Sequence, residues 1–341
     1  MMTIRIGLIG AGGIARSRHL PGLQKLKGVE LAAVANRRYD NALKAAEEYG
    51  FGKAYRTWQE VAEDPAVDAV FVCTPPYLHK EITAYCLARG KHVFSQARMA
   101  MNLPEALEML KLDESTRLTT MLCPPPNYMK VEPYALQLLA EGTLGDIRHV
   151  SLTHPSGQYS DPRKPLHWRQ RADLQGINAL DVGIMGEVLN KWFGPVKTLY
   201  AEGQTWVTER PQDNEGFSRV ELPDSVTVIG RFARGPQLTA LFSGAVQGGT
   251  PQLSIHGSRG TLTCYPEASY LLLRTAEGEK RLDVPADRIK EWTVERDFIE
   301  AVRQGRKGDP SFRDGAKYMA FTQAVADSIR TGGRVAVAEI S

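Results

Sequence analysis

Two groups of residues in this 341-residue chain have the types and spacing to do chemistry. The first is Gly10-Ala11-Gly12-Gly13-Ile14-Ala15, directly after the apolar run Thr3–Ile9. In a GxGxxA turn the first glycine permits a tight bend and the second lets a pyrophosphate approach the backbone. The small alanine lets helix and strand pack closely. A helix starting there points unpaired N–H groups and the positive end of its dipole at an anion. Gly10, Gly12, Gly13 and Ile14 are thus candidate dinucleotide-binding residues. The next apolar run, Val29–Ala35, ends in Asn36-Arg37-Arg38. An acid at that tip bonds a ribose 2′-hydroxyl, whereas arginine accommodates a 2′-phosphate. Asn36, Arg37 and Arg38 therefore favour NADP over NAD. The other reading leaves both arginines in solvent and gives Asn36 to the ribose of NAD.

The second group lies mid-chain. His154 stands in Thr153-His154-Pro155-Ser156, His167 precedes Trp168-Arg169, and Asp181 opens Asp181-Val182-Gly183; Tyr128, Tyr159 and Lys164 share the region. Histidine and carboxylate are the usual carriers of protons near neutral pH. Each also has a structural reading, as a surface group or a carboxylate bonded to backbone. His256 reads as part of a strand turn. Cys73, Cys86, Cys123 and Cys264 are too far apart for a zinc site, and no other cluster has ligand spacing, so no metal is expected. Buried thiols in a reducing cytoplasm are the simplest reading of the cysteines.

The elements that must position these groups fall into two textures. As far as residue 124 the order is strand–helix–strand. Apolar runs at Ala69–Thr74, His92–Gln96 and Leu118–Cys123 follow the first two. Between them come helices, one from Asp40 as cap to Tyr49, one over Leu78–Ala88, and one opened by Asn102 and Pro104. This order predicts a doubly wound parallel sheet, a Rossmann domain over 1–124. After Pro124-Pro125-Pro126 comes a short helix at Tyr134–Glu141, then runs that alternate apolar and polar residues. They are Arg148–Thr153, Thr198–Gly203, Ser225–Phe232, Gln237–Ser243, Gln252–His256, Thr261–Tyr265 and Tyr270–Thr275. They predict an α+β domain over 125–341 with an open, mainly antiparallel sheet. Helices at Ala179–Trp192, Val294–Arg303 and Asp314–Thr331 complete it. A net charge of +3 gives no reason to expect nucleic acid or an anionic membrane as partner. No apolar run approaches the ~20 residues that span a bilayer. The N-terminus enters a strand at once, with no room for a charged n-region and a cleavage site, so a cytoplasmic location is expected.

Nearly the whole chain resembles the Gfo/Idh/MocA family of sugar and cyclitol oxidoreductases. The likeness is carried by GAGGIARSRHLPGL, by Thr74-Pro75-Pro76 with His79, by Gly90-Lys91-His92-Val93-Phe94 and by Gly142-Thr143-Leu144-Gly145-Asp146-Ile147. Later marks are His167-Trp168-Arg169, Asp181-Val182-Gly183 and His256-Gly257-Ser258-Arg259-Gly260-Thr261-Leu262. The resemblance implies a substrate-bearing sheet face, a second face that builds a homo-oligomer (dimer or tetramer), and a sugar-like or polyol substrate. It also implies that Thr74, Pro75, His79, Gln96, Arg98, Trp168 and Arg169 serve the cofactor.

Two family signatures are altered. Where the family usually reads Glu-Lys-Pro, this chain has Gln96-Ala97-Arg98; where it commonly has Asp-x-Gly-x-His, position 185 is methionine. Neither Ala97 nor Met185 can move a proton. Arg98 stays protonated and could hold only a carboxylate, phosphate or oxyanion. A positioned acid or base contributes roughly 10²–10⁴-fold in rate. Asp181, His154 and His167 are the candidates to replace it. Three functions fit: a dehydrogenase or reductase with a relocated base, a net non-redox enzyme with a tightly bound nucleotide, and a nucleotide-binding sensor without catalysis.

Overall fold

The structure is a computed structural model that describes residues 3–212 and 216–340. The chain divides into two compact units, one running to Pro124 and taking back Thr293–Ala316, the other holding Pro125–Trp292 and Lys317 onward. The sequence reading placed everything after residue 124 in the second domain. That is corrected here: a helix over Val294–Gln304 belongs to the first unit. Its Phe298 ring stands 5.3 Å from Phe71 and 5.6 Å from Phe94, on two strands of the parallel sheet.

The first unit is built on a parallel sheet. Its strands are β1 (Ile4–Ile9), β2 (Val29–Ala35), β3 (Lys53–Tyr55), β4 (Ala69–Val72), β5 (His92–Ser95) and β6 (Thr120–Leu122). Their order is β3-β2-β1-β4-β5-β6. The chain reverses direction of sheet growth between β1 and β4. In such sheets the crevice at that point, beyond the strand C-termini, is where ligands bind. Both faces are covered, which is why β4 is wholly apolar and wholly buried. The helices are α1 (Leu20–Gln24), α2 (Tyr39–Tyr49), α3 (Trp58–Glu63), α4 (His79–Ala88) and α5 (Leu103–Glu114), with α9 (Val294–Gln304) returning later. Asn102 caps α5 by accepting the Glu105 N–H. Asp40 does not cap α2 as expected: Arg38 holds the cap position without a side-chain bond, and Asp40 lies within the first turn. There a carboxylate still meets the positive end of the helix.

The second unit carries a nine-stranded sheet among its described residues. It holds β7 (Ile147–Pro155), β8 (Val196–Gln204), β11 (Ser225–Phe232), β12 (Gln237–Ser243), β13 (Gln252–Gly257), β14 (Gly260–Cys264), β15 (Tyr270–Thr275), β16 (Gly278–Asp283) and β17 (Val335–Ala336). The strands β9 (Glu209–Gln212) and β10 (Gly216–Arg219) pair separately. All neighbours in the large sheet are antiparallel except β7 and β12. On β7, Val150 and Leu152 enter the core. That core packs one sheet face against α6 (Glu132–Ala140), α8 (Val182–Phe193) and the second-unit part of α10 (Phe312–Thr331). A short α7 (Ala172–Gln175) precedes α8.

Candidate functional site

The glycine turn leaves β1 with Gly10 at φ +96°. A Cβ there would lie 2.8 Å from the carbonyl carbon and oxygen of Cys73, so dihedral and neighbour both demand glycine. The turn is fixed by bonds from Gly10 N–H to the Ala35 carbonyl (2.9 Å) and from Gly12 N–H to the Gly10 carbonyl (2.8 Å). Arg16 donates to the Ala11 carbonyl at 3.2 Å and pairs with Glu48 on α2. Gly12 and Gly13 differ from Gly10. A Cβ at either would meet nothing within 4 Å, so the fold itself does not require glycine there. What their bareness preserves is open space over a helix N-terminus, beside an exposed Ile14. That fits a pyrophosphate. At the tip of β2, Asn36 is half-buried, while Arg37 and Arg38 are exposed and their guanidiniums have no protein partner among the described residues.

The turns after β4 and β5 are tied together by His79, which is fully buried. Its Nδ1 lies 2.9 Å from the Arg98 carbonyl and its Nε2 lies 2.7 Å from the Thr74 carbonyl. Burial pushes the imidazole below its ordinary range, against the pull of these carbonyls. His79 therefore acts on the loops that carry Thr74, Pro75 and Arg98, since both ring nitrogens are occupied by protein. The hydroxyl of Thr74 is buried with no protein partner among the described residues. Pro75 leads into a short 3₁₀ turn over Pro76–Leu78. Gln96 accepts the Ala97 N–H at 3.2 Å, the Ala97–Arg98 peptide is cis, and Arg98 is buried.

In the second unit the structure brings two of the three expected proton carriers together. His154, near the end of β7, places Nε2 3.1 Å from Asp181 Oδ2. Asp181 holds the cap position of α8 without spending its carboxylate on capping. Leu180, just before it, takes φ +48°, a conformation that costs a non-glycine residue roughly 1–2 kcal/mol and that concentrates at functional sites. The carboxylate side chain is 39% exposed and the imidazole 15%. His154 Nδ1 is shielded and has no protein partner among the described residues. The carboxylate accepts the Nε2–H of His154, and this bond orients both side chains.

His167 does not join the pair. Its Nδ1 accepts the Arg169 N–H at 3.2 Å and closes the turn Trp168–Gln170. The lone pair it would need as a base is already used. Trp168 and Arg169 stack on each other, the guanidinium 4.4 Å from the ring centroid. Met185 is wholly buried in the apolar core of α8 and the sheet. Sequence reasoning missed the buried acid Glu295 on α9, which lies 2.6 Å from His19. A signal existed: Glu295, Phe298, Ile299 and Val302 share helical spacing and one buried face. Among the described residues no group of three histidines, cysteines or acids could hold a metal ion, and no helix is long and apolar enough to cross a membrane.

Comparison with known proteins gives a consistent result. Residues 4–122 match the family described as "Oxidoreductase family, NAD-binding Rossmann fold", and residues 134–263 match the "GFO/IDH/MocA C-terminal domain". A levoglucosan dehydrogenase of Pseudarthrobacter phenanthrenivorans is 24% identical over all of both chains. A myo-inositol 2-dehydrogenase of Thermotoga maritima is 25% identical over 99% of each. Among solved structures, a levoglucosan dehydrogenase in complex with NADH and L-sorbose superposes with a TM-score of 0.91 at 22% identity, covering 100% of both chains. A 3-ketoreductase of Actinomadura kijaniata in complex with NADP and TDP-benzene gives 0.78 at 23% identity, covering 97% of this chain and 98% of that one.

Proposed function

The chain belongs to the Gfo/Idh/MocA oxidoreductase family, and we propose that it is a nicotinamide-dependent oxidoreductase of a sugar-like or cyclitol-like substrate whose proton is handled by His154 and Asp181. The observation that carries this reading is the 3.1 Å contact between those two side chains. It stands in a chain that has Ala97 and Met185 where the family usually has lysine and histidine. Gly10, Gly12, Gly13 and the following helix would hold the pyrophosphate. A bound nicotinamide would supply the hydride acceptor for a substrate alcohol, or the hydride donor for a carbonyl. Balance then requires that one proton leave the alcohol, and the His154–Asp181 pair takes it up as a unit. Asp181 is the more exposed partner and accepts the hydroxyl hydrogen bond. His154 fixes its direction and shares the charge.

NADP is the favoured cofactor, on the two unpartnered guanidiniums at the tip of β2. Arg37→Ala should weaken NADP(H) binding roughly tenfold or more and leave NAD(H) nearly unchanged. Equal losses, or tighter NAD binding by the parent protein, would refute the preference. The redox reading is tested by following nicotinamide absorbance while anhydrosugars, cyclitols and aldoses are offered with either nucleotide. Net reduction with one of them is expected. Tight nucleotide binding with product formed and no net reduction would favour a non-redox enzyme, and binding with no turnover at all would favour a sensor.

A further inference from the structure

The first unit contains a second buried histidine–carboxylate pair, which the reaction above does not use. His19 follows the glycine turn, in the π segment Ala15–His19, and its side chain is fully buried. Its Nδ1 lies 2.6 Å from Oε1 of Glu295, whose own side chain is 4% exposed. Its Nε2 lies 3.4 Å from Nε2 of Gln96. Glu295 packs so closely on the first helix that a Cβ at Gly22 would lie 2.6 Å from its other oxygen.

These contacts point to one hydrogen-bond polarity for this chain of groups. Ala97 N–H donates to Gln96 Oε1, at 3.2 Å, which fixes which end of the Gln96 amide is oxygen. The amide nitrogen must then face His19, so it donates, and His19 Nε2 must be the acceptor. The ring proton is therefore on Nδ1, where the Glu295 carboxylate accepts it. An anion on α9 thus sets the tautomer of His19, and His19 sets the amide of Gln96 at the turn beyond β5. His79 holds the same turn from its other end, through the Arg98 carbonyl.

We propose that Glu295 and His19 are positioning residues for the Gln96–Arg98 turn, and that Glu295 supplies from α9 the carboxylate that the family usually carries at position 96. This rests on the nucleotide-binding reading only for its functional consequence, because the polarity itself is a property of the free protein. The family pattern would place the acid on the turn itself, on the Nε2 side of the ring. Here the turn carries the amide and the return helix carries the acid, so the proton sits on the opposite ring nitrogen.

The test has two arms. Nitrogen-15 NMR of the intact protein should show His19 protonated at Nδ1 with an unprotonated Nε2 acceptor. The opposite tautomer would overturn the proposal, whatever the nucleotide data say. In binding measurements by NADPH fluorescence, Glu295→Gln should weaken NADPH roughly tenfold, because His19 can then adopt either tautomer and the Gln96 amide is no longer held. The exchange Glu295→Gln with Gln96→Glu reverses both bonds of the His19 ring, leaves the Ala97 N–H donating to residue 96, and should restore affinity to within about threefold. An unchanged affinity in Glu295→Gln, or a double variant no better than the single one, would overturn it. A purely structural role for Glu295 would lower the melting temperature of the single variant without rescue by the second change. If the parent protein binds neither NADPH nor NADH, the nucleotide reading fails, while the NMR arm still decides the polarity.

Discussion

At the scale of single residues, the glycine turn separates two reasons for glycine. Gly10 is required by the fold, since its φ is +96° and Cys73 backbone crowds the missing Cβ. Gly12 faces open space, so the fold does not require glycine there, and the proposed pyrophosphate would. Gly12→Val should therefore keep the parent melting temperature within about a degree or two and lose dinucleotide binding, as read by cofactor fluorescence. Retained affinity would remove the pyrophosphate from this turn. The sequence marked this turn because GxGxxA has a physical cause at every position. It also singled out Asp181 and His154, but not their meeting. Those residues are 27 apart in the chain, and only the pairing of β7 within the sheet and the turn before α8 bring them to 3.1 Å. Met185 shows the converse. The sequence says that this position cannot titrate; the structure adds that its side chain fills the core, so an imidazole there would be buried among apolar groups.

At the scale of elements, strands and helices with strong patterns were legible, and those held by neighbours were not. β11, β12 and β15 fall where alternation places them. β16 reads GEKRLD and is almost wholly exposed, so it has no apolar face to betray it. Charge on such an edge is what keeps an edge strand from pairing with other chains. β9 and β10 are four residues each and pair with each other. The loops after β4 and β5 depend on His79, and this gives a pH dependence. Burial holds the folded pKa of His79 below its ordinary 6.5, so the unfolded chain binds more protons in that window. The stability His79 contributes is complete above about pH 6.5 and is lost as the pH falls below it. The melting temperature should therefore fall between pH 7.5 and 5. His79→Asn should lower it at neutral pH but flatten the slope. A parallel slope in the variant would assign the acid sensitivity to other groups, of which His92 is one, also depressed by burial.

At the scale of the whole molecule, the chain leaves the first unit at residue 124 and re-enters it at Thr293. The sequence reading missed this return because α9 looks like any amphipathic helix. Its destination is set by Phe298, which closes the Phe71–Phe94 stack, and by Glu295, which meets His19. A fragment of residues 1–124 should then expose that aromatic face and leave His19 without its carboxylate. By circular dichroism it should lack a cooperative melt, and joining 293–316 to it should restore one. A cooperative melt of 1–124 alone would contradict the assignment. The central claim is that the His154–Asp181 pair does the work the family usually gives to other positions. It is tested most directly by the steady-state kinetics of Asp181→Asn on whichever sugar or cyclitol the parent protein reduces or oxidises. The account predicts a fall in kcat of roughly 10²-fold or more, with the NADP(H) dissociation constant unchanged. An unchanged kcat in the folded variant would contradict it.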